Sequence, residues 1–386
     1  MPPRGGLAFL LSWKPISWST REEYFARLCR LLRQQGVQPV LVCPEPFLPQ
    51  FRARMEESGA AIEICPSRTL AQQGRYFLEL GRIVRRYQVV TAHVRFYDYF
   101  SPMAWMAHLR GVRQVIFTEA NSGDWSGRGW KAAAVRARTR LMCYPLTRCI
   151  AVSRFIKERM VRVGIPAGRI DVVYNGVDTE QCAPSPCSRA ALGERLRIRP
   201  DEIIIAVAAS LLPWKNNQTL IEALAVLTRR GVPAHLVIAG DGPERGRLEV
   251  LAEARGVSRR CHWLGHCLDP VPVLQGCDIF ALASAGEAFG NVLAEAMACG
   301  VPVVGSRSGA IPEVVEDRVT GLLAPLGDAS AFADAFARLA ADPSLRAAMG
   351  ARGRERACAL FSVDRAVRET FQVYERAWAA AGLVRS

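Results

Sequence analysis

Several features that would assign this chain to a particular class of protein are missing from its sequence. No apolar run approaches the roughly 18–20 residues of a membrane-spanning helix, and no signal-peptide pattern stands at its start. The 12 cysteines form no C-x-x-C pair, so the usual redox and zinc spacings are excluded. These absences favour a cytoplasmic protein with reduced, buried thiols.

Acidic residues are scarce relative to basic ones. The chain has 36 Asp and Glu against 50 Lys and Arg, a formal charge of +14, which predicts an anionic partner. No nucleic-acid-binding motif with interleaved aromatic residues is present, so nucleic acid is not expected. Nucleotide diphosphates and anionic phospholipids are the favoured anions.

One stretch, 131–148, holds five cations and no acid, with apolar residues between them. This composition is typical of a basic amphipathic element on an anionic membrane surface, here the inner face of the cell membrane. A plain solvated face is the alternative interpretation.

Metal and redox cofactors are also not expected. Cys261, His262, His266 and Cys267 lie close together, but their spacing fits no zinc pattern. The glycine run at 240–246 follows a predicted strand, yet its spacing does not match G-x-G-x-x-G. The sequence therefore predicts no metal, no nicotinamide and no flavin.

The length and the apolar pattern indicate two α/β domains. A chain of 386 residues exceeds a single ordinary core. Apolar runs alternate with amphipathic helical stretches, which predicts parallel, doubly wound sheets. We predict domains at 1–180 and 201–362, a linker at 181–200, and a terminal helical segment at 363–386. The predicted strands are 7–11, 39–43, 62–65, 89–93, 114–118, 149–153 and 171–174, then 202–209, 235–239, 262–264, 279–283 and 301–304.

A candidate site follows the apolar run 279–283. A glycine-bearing loop leads there into a helix that begins near Gly290, and the free N–H groups and positive dipole of such a helix end suit a phosphate. Glu287 and Glu295 are eight positions apart, and carboxylates accept hydrogen bonds from sugar hydroxyls. The sequence thus predicts a nucleotide-sugar site. The alternative is that Glu287 is a solvated loop residue and Glu295 a surface helix residue.

Polar residues also follow two predicted strands of the first domain. His93 ends the strand 89–93, and Glu119 and Asn121 follow the strand 114–118. Ligands bind beyond the carboxyl ends of parallel strands, so these residues are candidates for the sugar-facing part of a site. A packed histidine and an ordinary connecting loop are the alternatives.

The region 287–302 resembles the E-x7-E region of the retaining family 4 glycosyltransferases. The matching segments are EAFGN at 287–291, EAM at 295–297 and GVP at 300–302. VYNGVD at 173–178 is similar to the interdomain V-P-N-G-V-D of that family. VIAGDGP at 237–243 and LG at 264–265 match two further segments.

This resemblance implies the GT-B fold: two Rossmann-like domains facing a cleft, with the last helix returning to the first domain. It implies metal-independent transfer, with retention of anomeric configuration, from a nucleotide-diphosphate sugar. A UDP-sugar is the favoured donor, and a glycan or lipid-linked molecule of cell-surface polysaccharide or lipopolysaccharide assembly is the favoured acceptor.

The resemblance also implies roles for individual residues. Lys215 corresponds to the phosphate-binding lysine, Glu287 to the residue at the donor sugar hydroxyls, and Glu295 to the residue at the ribose. The segment around Gly265 and His266 would border the nucleobase. The backbone that would meet the sugar and the diphosphate belongs to Phe289, Gly290, Asn291, Val292 and Leu293.

Three positions depart from the family pattern. Ser210 stands where the family has an arginine five residues before the lysine. Thr118-Glu119-Ala120 replaces T-x-H, and Glu119, Asn121 or His93 are the candidates for that role. Residues 15–17, Pro-Ile-Ser, replace a Gly-Gly donor loop. These departures favour a second hypothesis, a non-catalytic GT-B protein that binds a nucleotide-sugar or a glycan.

Overall fold

The computed structural model describes residues 3, 5–12, 20–44, 49–66, 70–97, 101–121 and 130–383. The chain divides into two compact units, one of Met1–Gly176 with Val363–Ser386 and one of Val177–Ser362. Each unit is a parallel sheet whose strands alternate with helices, so the predicted fold class is confirmed. The predicted departure at 15–17 lies outside the described residues.

The first unit contains seven strands in the order β3-β2-β1-β4-β5-β6-β7, all parallel. Its inner strands are mostly apolar, as expected of a sheet covered on both faces, and they also bury His93, Arg95 and Glu119. The strands are β1 Gly6–Leu11, β2 Gln38–Cys43, β3 Ala61–Ile64, β4 Val89–Arg95, β5 Gln114–Glu119, β6 Arg148–Ala151 and β7 Ile170–Val172. The helices are α1 Thr20–Gln34, α2 Pro49–Glu57, α3 Leu70–Arg86, α4 Met103–Leu109, α5 Trp130–Met142 and α6 Arg154–Arg162.

The predicted end of β4 is wrong. The strand continues past His93 to Arg95, because Val94 and Arg95 keep their pairing with β1 and β5. Arg95 is itself buried, and its guanidinium lies 4.8 Å from the ring centroid of Tyr24. A cation over an aromatic ring is attracted to it, so this contact stabilises Arg95 at its buried position in the strand.

The second unit contains six parallel strands in the order β10-β9-β8-β11-β12-β13. The strands are β8 Ile203–Ala208, β9 Ala234–Ala239, β10 Cys261–Gly265, β11 Ile279–Leu282, β12 Val303–Ser306 and β13 Gly321–Ala324. The helices are α7 Ser188–Leu196, α8 Asn217–Arg229, α9 Arg245–Ala254, α10 Val271–Gly276, α11 Asn291–Ala298, α12 Ile311–Val314, α13 Ala329–Ala341 and α14 Pro343–Leu360. Helix α7 falls inside the predicted linker and packs against α10.

Among the elements of this unit that were not predicted from the sequence are β13 and α14. Helix α14 packs against α11 through small residues, not through an apolar stripe. A Cβ atom on Gly350 would lie 2.0 Å from the carbonyl oxygen of Gly300, so the two backbones touch there. Glycines leave no apolar periodicity in a sequence, which is why this contact was missed.

The last helix, α15 Val363–Ala380, belongs to the first unit and packs against α1. Its Trp378 Nε1 donates to Thr91 Oγ1 at 2.8 Å, and its Thr370 Oγ1 lies 2.8 Å from Tyr24 Oη. Both contacts are buried. Across the described ranges, no helix is both long enough and apolar enough to span a membrane.

Candidate functional site

The second unit has a topological switch point between β8 and β11. These two strands are neighbours in the sheet, but the chain leaves them in opposite directions. After β8 the next strand, β9, lies on one side of the pair, and after β11 the next strand, β12, lies on the other side. Parallel α/β sheets bind ligands beyond the strand carboxyl ends at such a point. The loops after β8 and β11 are the ones that contain Lys215 and Glu287.

The loop after β8 positions Lys215. It forms a 3-10 turn over Pro213–Lys215, and Asn216 follows in a left-handed conformation with φ +53°. Lys215 Nζ lies 4.2 Å from the ring centroid of Trp214. The carbonyl oxygen of Trp214 accepts a hydrogen bond from Ala285 N at 2.8 Å. The lysine loop is therefore fastened to the loop after β11.

Lys215 and Glu287, which the sequence predicted separately, form one ion pair. Lys215 Nζ lies 2.6 Å from Glu287 Oε1, and the two side chains are 16% and 9% exposed. A cation at this depth stabilises negative charge more strongly than one in open water. A carboxylate beside it accepts hydrogen bonds from hydroxyl groups. The pair can therefore serve a ligand that has a phosphate next to a polyol.

Residues 308–310, a segment that the sequence analysis did not identify, hold the loop of Glu287 in place. Ser308 Oγ accepts from Gly286 N at 3.1 Å, and Ala310 N donates to the Glu287 carbonyl oxygen at 2.9 Å. Gly309, at φ +59°, passes so close that a Cβ atom there would lie 2.6 Å from both Glu287 N and Glu287 O. The sequence signal for this segment is SGA at 308–310, a glycine shortly after the strand β12.

Helix α11 begins beside this loop. Gly290 is its N-cap at φ +93°, and Leu293 N donates back to Gly290 O at 3.0 Å. The Phe289 ring packs on Phe361 with centroids 5.3 Å apart, which anchors the entry to the helix. The first residue of the helix, Asn291, is exposed. The positive end of a helix dipole at this position suits an anionic group.

The remaining predicted residues of this helix are Val292 and Glu295, and both are half-buried. A hydrogen bond with Cys299, burial and the negative charge of Glu295 together raise the pKa of the Cys182 thiol. The ribose contact of Glu295 stays a prediction.

Ser210, Gly265 and His266 lie at the carboxyl ends of β8 and β10. Ser210 and His266 are exposed, and Gly265 adopts φ +71° and pairs with Gly240 in an isolated bridge. A Cβ atom built on Gly265 would lie 3.8 Å from Arg245 Nη1. The guanidinium of Arg245 therefore lies at the edge of the sheet where Ser210, in place of the family arginine, supplies no positive charge. Arg245 is also paired with Glu249, with Arg245 Nε 2.9 Å from Glu249 Oε1.

In the first unit, His93 is enclosed within the sheet and the last helix. Its Nδ1 lies 2.6 Å from Tyr374 Oη, its Nε2 lies 2.6 Å from Thr118 Oγ1, and its side chain is 0% exposed. Burial lowers the pKa of His93 well below its usual value, and the positive charge of Arg95 lowers it further. These contacts connect α15 to β4 and β5. A catalytic role for His93 stays a prediction.

In the variant His93→Gln, the free energy of unfolding is expected to fall less steeply than in the wild type as the pH drops below about 7. A histidine that is neutral when folded takes up a proton on unfolding below a pH of about 6.5, because that is its unfolded pKa. The stability that the neutral His93 contributes is fully present above about pH 6.5. It is lost as the pH falls toward the pKa of His93 in the folded state, by at most about 1.4 kcal/mol per pH unit. Glutamine retains a donor and an acceptor but does not titrate. Urea denaturation between about pH 7 and 5.5 measures the slope.

The matched control is His108→Gln, since His108 is an exposed histidine of the same unit. This variant should keep the wild-type slope. A slope for His93→Gln as steep as that of the wild type would contradict a folded His93 that stays neutral.

Glu119 ends β5 and is fully enclosed. Its Oε1 accepts from Asn121 N at 2.6 Å and lies 3.6 Å from Arg159 Nη2, and Arg159 is also buried. The same guanidinium donates to the Asn121 carbonyl oxygen. The structure thus brings Glu119 and Asn121 together around an arginine of α6, while the rest of the predicted loop, residues 122–124, lies outside the described residues. A catalytic role for Glu119 stays a prediction.

Among the residues that the structure describes, no group of three or more His, Cys, Asp or Glu side chains could hold a metal ion. His262 instead lies beside His235, with His262 Nε2 3.0 Å from His235 Nδ1. All twelve cysteines are free, and nine of them are buried.

A lysine-carboxylate pair and a helix N-terminus at a sheet switch point are typical of α/β proteins that bind phosphorylated ligands. Family models identify the class more closely. The model described as glycosyltransferase family 4 matches residues 22–181, and the model described as glycosyl transferases group 1 matches residues 188–356. The chain belongs to this family of glycosyltransferases.

Curated relatives match over part of their length. The D-inositol 3-phosphate glycosyltransferase of Saccharomonospora viridis is 34% identical over 263 residues, 61% of this chain and 60% of the relative. The GDP-mannose-dependent alpha-(1-6)-phosphatidylinositol monomannoside mannosyltransferase of Mycolicibacterium smegmatis is 36% identical over 212 residues, 53% of this chain and 55% of the relative. The chain spans about 55–60% of the length of these relatives.

The fold is shared with solved structures. The crystal structure of Anabaena Alr3699/HepE in complex with UDP and glucose has a TM-score of 0.80 at 20% identity, covering 96% of this chain and 99% of that chain. At this identity the likeness shows the fold, which is the GT-B fold that the sequence resemblance implied.

Proposed function

We propose that this protein transfers a sugar from a nucleotide-diphosphate donor to a glycan or lipid-linked acceptor. The single observation that carries the proposal is the ion pair of Lys215 and Glu287 at the β8–β11 switch point, beside the N-terminus of α11. Family membership and the names of the relatives support the same activity.

The proposed donor site uses each group for one part of the ligand. Lys215 and the positive end of α11 face the diphosphate, where they offset the negative charge that grows on the leaving group. Glu287 accepts hydrogen bonds from the sugar hydroxyls, and Glu295 accepts them from the ribose. Gly265 and His266 border the base. Arg245 supplies the second cation in place of the family arginine at Ser210.

The finer features of the proposal are a UDP-sugar donor, retention of configuration and independence of metal ions. The Anabaena structure was solved with UDP and glucose, whereas the mycobacterial relative is named for GDP-mannose. The nucleobase of the donor is identified by comparing UDP-sugars with GDP-sugars. A chelator should leave turnover unchanged, and the anomeric configuration of the product can be measured by NMR.

The acceptor side of the proposal rests on the names of the relatives. One is named for an inositol phosphate and one for a phosphatidylinositol mannoside, so a polyol or a lipid-linked glycan is the proposed acceptor class, in cell-surface glycan assembly. Contact with an anionic membrane surface is part of the proposal, supported by the exposed Arg136, Arg138 and Arg140 on α5.

The test is a screen of UDP-, GDP- and ADP-sugars. A donor that binds should raise the melting temperature, since a ligand at 100 times its dissociation constant adds about 2.7 kcal/mol of stability. Release of the nucleoside diphosphate, measured with water and with polyol or lipid acceptors, then reports hydrolysis and transfer. A protein that no sugar nucleotide stabilises would contradict the proposal.

A non-catalytic sugar-nucleotide-binding protein is the second candidate. The observation that favours it is the exposed Ser210 in place of an arginine. The same screen separates the two functions, because a binding protein is stabilised by the donor but releases no nucleoside diphosphate with any acceptor.

A further inference from the structure

A pocket of about 410 Å³ opens at the amino ends of β6 and β7 in the first unit. It lies between the end of α5, the end of α6 and the turn that leads into β7. Its volume falls within the roughly 300–1,000 Å³ of small-molecule sites. The apolar part of its wall is formed by Cys143, Leu146, Cys149, Val161, Ile165 and Pro166.

This pocket is at the opposite edge of the sheet from the candidate residues of the first unit. Glu119 pairs with Ala151, the last residue of β6, whereas the pocket surrounds the beginning of β6 near Cys149. Because all strands of this sheet are parallel, the carboxyl ends and the amino ends form separate edges. The pocket is therefore not the sugar-facing part of the proposed transfer site.

The charges that line the pocket have one sign. Arg140 and Arg169 are the two charged residues of the lining, and both are exposed. Arg169 lies against the wall, with its Nη1 3.4 Å from the Leu146 carbonyl oxygen. Burial, with a smaller effect of Glu119, raises the pKa of the Cys143 thiol to about 12, so this part of the wall is neutral. An apolar cavity beside two guanidinium groups fits a ligand with an apolar body and an anionic group.

The surface beside the pocket is apolar and exposed. Tyr144 and Leu141 are 69% and 62% exposed, and Leu109 of α4 is 65% exposed. Tyr144 stacks on Trp105 at an angle of 15° with ring centroids 5.8 Å apart, which joins α4 to this surface. Large side chains that fold packing does not bury are typical of a contact with a partner or a membrane. They favour a lipid over a small hydrophilic anion.

We propose that this pocket binds the alkyl chain of an anionic lipid, with the phosphate or carboxylate group held by Arg140 and Arg169. The pocket belongs to the first unit and the sugar-nucleotide site to the second, and the proposal does not depend on that site. The proposal also differs from general attraction to a charged surface, because it requires the cavity and these two arginines, and not the other cations of α5.

Dodecyl phosphate is the probe, used with the full chain in calorimetric titrations below the concentration at which it forms micelles. The variant R140S/R169S should weaken its binding about tenfold or more, as expected for the loss of hydrogen bonds to a charged group. The variant R85S/R113S loses the same charge from exposed residues of the same unit that neither line the pocket nor belong to α5, and it should bind as the wild type does. Inorganic phosphate, which lacks the chain, should bind at least about tenfold more weakly than dodecyl phosphate.

A second variant, Val161→Trp, tests the cavity without changing charge. Val161 is 42% exposed at the end of α6 and lines the pocket, so a larger side chain can be accommodated there without disturbing the core. It should weaken dodecyl phosphate binding as strongly as R140S/R169S, while circular dichroism and thermal melting remain close to the wild type. Binding unaffected by Val161→Trp, or weakened equally by R85S/R113S, would overturn the proposal, as would no binding of dodecyl phosphate to the wild type.

Vesicles identify the source of the lipid. If the lipid comes from a bilayer, the chain should float with phosphatidylcholine vesicles that contain phosphatidylglycerol, and R140S/R169S should float less than R85S/R113S. If the chain binds dodecyl phosphate but not these vesicles, the pocket serves a free anionic lipid. Both outcomes support the pocket, and equal flotation of the two variants would contradict a bilayer source.

Discussion

Lys215→Ala is expected to lower turnover by about 100- to 1,000-fold, the usual loss when one fixed group that stabilises developing charge is removed. Lys215 Nζ is held by Glu287 and by the Trp214 ring, so the amine is placed before a ligand arrives. The same loss is expected for Glu287→Ala, because the carboxylate both orients the amine and accepts hydrogen bonds from the sugar hydroxyls. Release of nucleoside diphosphate from the best donor measures the effect.

Two controls separate chemistry from folding. Arg259→Ala removes one exposed cation from the amino end of β10 in the same unit, and it should retain wild-type turnover. The double variant Lys215→Met/Glu287→Gln leaves no unpaired charge in the half-buried site, so it should melt closer to the wild type than Lys215→Ala does. It should nevertheless be inactive. Wild-type turnover in both single variants would exclude the assigned site.

Gly309→Ala is expected to reduce turnover by about 100-fold, although residue 309 has no side chain to contact a ligand. Its Cβ atom would lie 2.6 Å from Glu287 N and Glu287 O, so the Glu287 loop must shift. A displacement of about 1 Å at a catalytic group costs about this much in rate. Turnover and melting temperature should both be measured, because alanine at a positive φ also destabilises the fold by about 1–2 kcal/mol.

The matched control is Gly327→Ala. Gly327 has φ +77°, but no atom lies within 4 Å of its Cβ position. It should therefore show a similar loss of stability with turnover close to that of the wild type. Equal turnover in the two alanine variants would mean that the contact of Gly309 with the Glu287 loop is not needed for activity.

The donor half of the site could be predicted from the sequence because its parts are local. Glu287, Gly290 and Glu295 fall within one β-loop-α unit, and Lys215 follows a strand with a clear apolar run. The sequence could not show that Lys215 and Glu287 touch, since 72 residues separate them. It also gave no reason to choose Gly309 over other glycines, because only the folded chain shows which backbone atoms a Cβ would meet.

The first unit shows where strand-end reasoning fails. His93 was predicted to end a strand. In the structure its two ring nitrogens are hydrogen-bonded to Thr118 on a neighbouring strand and to Tyr374, which is 281 residues later in the chain. Glu119 was predicted to follow the strand 114–118 but is the last residue of β5, and its neighbour Arg159 comes from α6. The partners of a buried polar group are set by tertiary packing, which residue spacing does not encode.

The most direct measurement of the central claim is a calorimetric titration of the second-unit site with UDP, GDP and their sugars. The account predicts that one nucleoside diphosphate binds saturably, that Lys215→Met weakens both the diphosphate and its sugar, and that Glu287→Gln weakens the sugar nucleotide more than the diphosphate alone. Equal affinity of Lys215→Met and the wild type for every nucleotide, or no nucleotide binding at all, would contradict it.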